Sequence, residues 1–215
     1  MSRSVLFPLA CLTAGIFLGS PSQAQSTNRF NFHVGGGFTQ PVQKAEGRVD
    51  LGWNAMVGGG VNFSPHTGIM AEFGFQNMDL TQRVLRAAGA PAGTTRVYSA
   101  TLNPIIRFNP RGRFDSYAVG GGGFYRRTLE FTEPTIDVVT GFDPFYGVFF
   151  PVNVPSNIVL GSFSQNKGGL NIGAGVSFRV RGDSNAKFFA EARYHYIYTT
   201  PVRTTLLPVT FGFRW

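Results

Sequence analysis

The chain has 215 residues and is 43% hydrophobic, yet only 14% of it is charged and its mean hydropathy is +0.01. Charge this sparse, against about 25% in an ordinary soluble domain, together with 28 Gly and 22 Phe, argues against a helical protein and for strands with one apolar and one polar face. The single cysteine, Cys11, lies in the first two dozen residues, which excludes disulfides, a thiol nucleophile and a thiolate metal site from the rest.

The amino terminus reads as an export signal. Arg3 precedes an apolar run at 5–18, and Ser22 and Ala24 stand at positions −3 and −1 of a cleavage site after Ala24. The run has 14 residues and contains Pro8, short of the roughly 20 needed to span a bilayer. Residues 25–215 are then expected to form one domain. No run of 18 apolar residues follows, so any membrane crossing falls to strands.

Alternation with period two begins at once. Over 29–39, Phe30, Phe32, Val34 and Phe38 oppose Asn31, His33 and Thr39. Over 51–64, Trp53, Ala55, Val57, Val61 and Phe63 oppose Asn54, Gly58, Gly60 and Asn62. Over 69–76, Ile69, Ala71, Phe73 and Phe75 oppose Met70, Glu72, Gly74 and Gln76; over 98–109, Tyr98, Ala100, Leu102, Ile106 and Phe108 oppose Ser99, Thr101, Asn103 and Arg107. In the fifth segment Tyr117, Val119 and Tyr125 are assigned to the apolar face, against Ser116, Ala118, Gly120, Gly122 and Arg126. Leu170, Ile172, Ala174, Val176 and Phe178 then oppose Asn171, Gly173, Gly175, Ser177 and Arg179. Phe188, Ala190, Ala192, Tyr194 and Tyr196 oppose Phe189, Glu191, Arg193 and His195. The last segment, 204–215, carries Val209, Phe211, Phe213 and Trp215 against Thr210, Gly212 and Arg214. That makes eight strands.

Connections alternate in length. "SPHTG", "NPRGR" and "RGDSNAK" are tight turns, and the remaining connections are mostly longer, with over 30 residues from 128 to 167. Short turns at one end and long loops at the other describe an outer-membrane barrel. An eight-stranded lumen is barely wide enough to be filled by side chains, so the large apolar face belongs outside and the small polar face inside. With the short turns placed in the periplasm, Phe30, Phe63, Phe108, Tyr117, Phe178, Phe188 and Trp215 fall near one edge. Phe38, Trp53, Phe75, Tyr98, Tyr125, Tyr196 and Tyr198 fall near the other, as two interfacial belts would.

The expected fold is therefore all-β: a closed, antiparallel, eight-stranded up-and-down transmembrane barrel. The last strand seals it against the first. That alternating strand, with Phe211, Phe213 and Trp215, resembles the signal read by the bacterial barrel-assembly machinery. The whole mature chain resembles the small eight-stranded outer-membrane proteins, the opacity-protein and outer-membrane-protein-A-like barrels. The resemblance implies the outer membrane of a Gram-negative-type bacterium, a monomer, and a family that spans adhesins, structural barrels, small pores and lipid-modifying enzymes.

Candidate chemistry is thin. Glu191, Arg193 and His195 share one face, but lipid A deacylases place a Ser two residues after such a His, and here stands Ile197. His33 and His66 lack ligand spacing, the Gly runs at 35, 58 and 120 lie in strands with no helix after them, and neither metal nor cofactor is expected. The inward charges instead suggest a lumen network in which Glu72 and Glu191 pair with Arg107, Arg179 or Arg193, because charges in a narrow lumen must be matched. Pairing across the turns sets Glu72 opposite Gly58 or Gly60, and Glu191 opposite Ser177. Lys44, Arg48, Arg83, Arg86, Arg96, Arg126, Arg127, Lys167 and Arg203 lie near the outer end, placed to meet lipopolysaccharide phosphates. The formal charge of +8 does not imply nucleic acid, since the arginines do not share a face and the chain is exported. A non-enzymatic structural or surface-interaction role is expected, with a small pore or lipid-modifying enzyme as the rival. The third long connection, 129–166, is apolar for exposed sequence, as a partner-binding surface would be. It fits an extended hairpin, two extra strands, or a flexible loop.

Overall fold

The computed structural model describes residues 29–180, 186–200 and 203–215; the export signal and its cleavage site after Ala24 lie outside the described residues. Eight strands follow in chain order: β1 (Phe30–Pro41), β2 (Gly52–Asn62), β3 (Thr67–Asp79), β4 (Ala92–Arg107), β5 (Phe114–Asp143), β6 (Val148–Arg179), β7 (Lys187–Ile197) and β8 (Thr204–Arg214). Each pairs antiparallel with the next, and β8 closes on β1 through pairs such as Gly36 with Phe211 and Phe38 with Val209. Closure pairs each strand of the ring on both sides and leaves no edge to lipid. Among the described residues no helix is long and apolar enough to cross a membrane.

One end carries the tight turns. Ser64 Oγ accepts the amide of Thr67 at 3.0 Å and that of His66 at 3.2 Å, a side-chain closure typical of Ser in turns. The other end carries more structure than the sequence suggests. A 3₁₀ turn (Gln43–Ala45) follows β1, and α1 (Gln82–Ala88) follows β3, ending at Gly89 with φ 67°. Gly tolerates this left-handed residue without a Cβ penalty. Leu85 is the buried residue of α1. Seven residues are too few for a helical period to stand out against the alternation around them.

The apolar faces point outward, with Val57 53%, Leu102 59% and Ile172 69% exposed, while Asn54, Thr101, Asn171 and Thr210 are buried in the lumen. Strand β5 corrects the sequence reading. Tyr117, Val119 and Tyr125 are buried inside, and Phe114 and Phe124 face out. Tyr117 pairs with Gly175 and Val119 with Gly173, positions of β6 that share the lumen face with Asn171 and Ser177. Between Phe114 and Phe124 the outward parity of β5 is Ser116, Ala118, Gly120 and Gly122, too small to register as an apolar face. The tyrosine hydroxyls need acceptors, and the lumen supplies them. Tyr117 and Tyr125 therefore leave the aromatic belts. The rows that remain are tight: Phe75 stacks between Trp53 and Tyr98 at 5.0 Å from each, and Phe188 meets Phe213 edge-on at 5.7 Å.

The third long connection is a hairpin. β5 and β6 run for 30 and 32 residues, against 11 to 16 for the other strands, and stay paired from Arg127 with Gln165 to Asp143 with Val148. Spanning strands need only about 9–11 residues, and beyond the last β4 pair, Ala92 with Thr132, this arm extends about 40 Å at ~3.4 Å per residue. A register shift between Phe131 and Thr132 marks its base.

The exterior has a direct test. Val57→Arg or Ile172→Arg is expected to cost roughly 2–4 kcal/mol in lipid, because both sit at mid-strand depth, whereas Val57→Leu should stay within about 0.5 kcal/mol. Urea unfolding in vesicles measures this. Arginine tolerated at both positions would mean that water, not lipid, surrounds the barrel.

Candidate functional site: the charged lumen

Two glycines let side chains cross the strand between them and their partners. Gly58 of β2 pairs with His33 of β1 on one side and Glu72 of β3 on the other. A Cβ on Gly58 would lie 2.5 Å from His33 Cε1. Its absence lets His33 Nε2 reach Glu72 Oε1 at 3.1 Å. Gly175 of β6 does the same between Tyr117 of β5 and Glu191 of β7. A Cβ there would lie 2.5 Å from the Tyr117 ring, and the Tyr117 hydroxyl donates to Glu191 Oε2 at 3.0 Å. Glu191 thus stands opposite Gly175, two residues from the Ser177 that the turn length suggests.

Arg193 joins the two halves. Its Nε donates to Glu191 Oε1 at 2.9 Å, its Nη2 donates to Glu72 Oε1 at 3.2 Å, and its Nη1 contacts Glu72 Oε2. Asn103 of β4 donates to the same Glu72 oxygen and to Thr101 Oγ1 at 2.8 Å, and Asn171 of β6 donates to Asn103 Oδ1 at 2.9 Å. Glu72, Glu191 and Arg193 are 6%, 3% and 5% exposed. Desolvation on this scale demands matched partners, and six strands converge to supply them. The fork of Arg, which donates in fixed directions, suits a bridge between two carboxylates.

The remaining arginines lie elsewhere. Arg107 donates to Asn62 Oδ1 at 2.9 Å, and Arg179 pairs in register with Lys187; neither contacts Glu72 or Glu191 in the way the sequence suggests. The inverted β5 also turns a further acid inward. Asp115 is 1% exposed, accepts the amide of Asn109 at 3.0 Å, and lies 3.8 Å from Lys187 Nζ.

Apolar layers flank the network, which the small polar set read from the sequence leaves out. Met78, Val97, Tyr125, Ile197 and Leu206 pack together towards the outer end, and Met70, Ile105, Tyr117 and Val119 on the wall below. The Tyr125 hydroxyl meets His195 Nδ1 at 3.0 Å, so His195 is held in that layer rather than by Glu191. Beside the network a cavity of about 30 Å³, lined by Asn54, Gln76, Glu72 and Thr210, has room for one or two waters.

An apolar belt, a closed ladder and a packed, charge-matched interior define an integral membrane β-barrel. Residues 9–214 match the outer membrane protein beta-barrel domain family, and the chain belongs to that family, whose members lie in the bacterial outer membrane. Among solved structures it is similar to the Neisserial surface protein A, with 15% identity over 86% of this chain and 95% of that one and a TM-score of 0.55. It is also similar to a major outer membrane protein from Thermus thermophilus, with 11% identity over 86% and 98% of the two chains and a TM-score of 0.54. Ail, the attachment invasion locus protein of Yersinia pestis, shares 16% identity over 86% and 97%, with a TM-score of 0.47. No curated protein matches the sequence.

Proposed function

We propose that this outer-membrane barrel is a non-enzymatic surface-interaction protein that meets its partner through the β5 and β6 arm. The observation that carries this reading is the arm itself: a rigid ladder standing clear of the membrane with Ile136, Val138, Phe142, Phe145, Tyr146 and Phe149 exposed. An apolar surface of this kind held in water marks an interaction site. The lumen supports the absence of a pore, since the Arg193 cluster and the apolar layers fill it. Among the described residues the lead at Glu191 and His195 does not assemble a catalytic set: Glu191 is held by Arg193 and Tyr117, His195 by Tyr125, and Ile197 offers no nucleophile. At the outer rim Arg83, Arg86 and Arg126 are exposed and placed for lipopolysaccharide phosphates.

Deleting residues 132–160 and joining Phe131 to Gly161, its ladder partner, through a two-residue turn tests the reading. The shortened barrel is expected to assemble and stay heat-modifiable. Cells bearing it should lose about tenfold in adhesion to hydrophobic beads and to a panel of extracellular proteins. Planar-bilayer recordings should show no steady channel from either form. Unchanged adhesion after the deletion would remove the arm from the function, and a steady conductance from the intact protein would favour a small pore.

A further inference from the structure

The periplasmic end of the lumen holds cations that the central network does not use. Arg179, Lys187 and Arg214 are direct cross-strand neighbours: Lys187 pairs with Arg179 of β6 and with Arg214 of β8. Directly paired residues point to the same side of a sheet, so like charges opposite one another repel. Here three stand in one row facing the lumen, and the charge of Arg107 reaches Lys187 as well. Among the described residues Asp115 is the acid whose charge reaches Lys187.

Arg214 is the most telling member. It is only 5% exposed, and its guanidinium lies over the rings of Tyr117 at 4.6 Å and Phe189 at 5.2 Å. Those faces fix the plane of the fork but accept no N–H in its plane. Its Nε and Nη2 are buried without a hydrogen-bond partner, as is Nε of Arg179. Among nearby side-chain acceptors, Asn62 Oδ1 takes Arg107 and Asn31 and Asp115 Oδ1 takes the Asn109 amide, while Asn31 Oδ1 is buried and makes no hydrogen bond to Arg214 or any other group. A buried guanidinium with idle donors is costly unless an anion meets it.

We propose that this periplasmic mouth is an oxyanion site that takes one phosphate group. A tetrahedral oxyanion supplies acceptors for the planar fork of Arg214, neutralises the row, and leaves Asp115 and Lys187 to bound the site. Free inorganic phosphate and the headgroup phosphate of an inner-leaflet lipid share this chemistry.

The test uses the full chain folded in dodecyl maltoside, a phosphate-free uncharged detergent. Inorganic phosphate is titrated against it by calorimetry at constant ionic strength. The expected result is saturable one-to-one binding, weakened about tenfold or more in Lys187→Gln and in Arg214→Gln. Lys187 lies outside the β8 and β1 seam, so its variant carries the test if Arg214→Gln does not fold. The titration is repeated in nanodiscs containing phosphatidylglycerol. Loss of the phosphate heat there would identify the lipid headgroup as the occupant, and its persistence the free ion. No saturable binding to the unaltered chain, or equal affinity in Lys187→Gln, would overturn the site and mean that the row is neutralised within the protein.

Discussion

Arg193→Met is expected to cost the barrel about 3–5 kcal/mol, since removing one partner of a buried ion pair leaves uncompensated charge. Here the loss is compounded, because one guanidinium serves both Glu72 and Glu191. Glu72→Gln or Glu191→Gln should be milder: each leaves Arg193 with one carboxylate, and the remaining pair stays matched. Glu72→Gln placed on Arg193→Met should restore part of the stability, by removing one of the two orphaned charges. Double-mutant cycles read by urea unfolding in vesicles resolve the pairs. Coupling of about 1 kcal/mol or more is expected between Glu72 and Arg193 and between Glu191 and Arg193. Coupling near zero is expected between Glu72 and Arg107 and between Glu191 and Arg179, which do not touch. If Arg193→Met cost less than about 1 kcal/mol, far below the loss typical of a broken buried pair, water would be solvating both carboxylates. The lumen would then be open, and the conductance of the variant should rise with it.

How far the alternation carries, and where it stops, follows from what each residue sees. On β1, β2, β3, β7 and β8 most of the large apolar residues share one parity, which is enough to fix the facing, although Met70, Met78, Phe189, Ile197 and Leu206 are turned into the lumen. On β5 neither parity dominates. Tyr117 and Tyr125 look apolar in a sequence, but their hydroxyls bond Glu191 and His195, partners 74 and 70 residues away. Inverting β5 hides Asp115 as well; the signal that finds it is Asp115 sharing the parity of Tyr117 and Val119 rather than of Phe114 and Phe124. Cross-turn pairing narrows the partner of Glu72 to Gly58 or Gly60, since the turn at Ser64 is short, and the ladder selects Gly58. It misses Glu191 by two residues because the longer connection between β6 and β7 leaves register free.

The choice among Arg107, Arg179 and Arg193 is equally illegible. Depth along a strand can be counted from a turn, but closeness across the lumen depends on the tilt and stagger of the closed ladder. Inward glycines hint at lumen space without saying what fills it: Gly58 makes way for His33, and Gly175 for Tyr117. The long arm is legible as one of three arrangements. Continuous pairing through Val138 with Asn153 and Phe142 with Phe149 selects the hairpin, and β-branched and aromatic residues along it support that choice.

Changing Phe213 and Trp215 together to Ser is expected to abolish assembly. The two residues belong to the seam: Phe213 pairs with Val34 of β1 and with Phe188 of β7, and Trp215 exchanges hydrogen bonds with Phe32 at 2.9 and 3.0 Å. Both side chains are half exposed to lipid, and each replacement forfeits roughly 1.5–3 kcal/mol of apolar burial. Two separate causes could stop the variant, and a pair of measurements divides them. If the seam is what fails, the purified variant will not refold into vesicles, and its far-UV spectrum will lack the closed sheet. If the assembly machinery reads Phe211, Phe213 and Trp215 as its signal, the variant will refold in vitro yet be missing from the outer membrane of cells. Phe211→Leu should pass both tests, because an apolar side chain still faces lipid beside Gly36 and Ala190. Heat-modifiable barrel recovered at normal levels from the outer membrane of the double variant would remove both the seam and the signal as requirements.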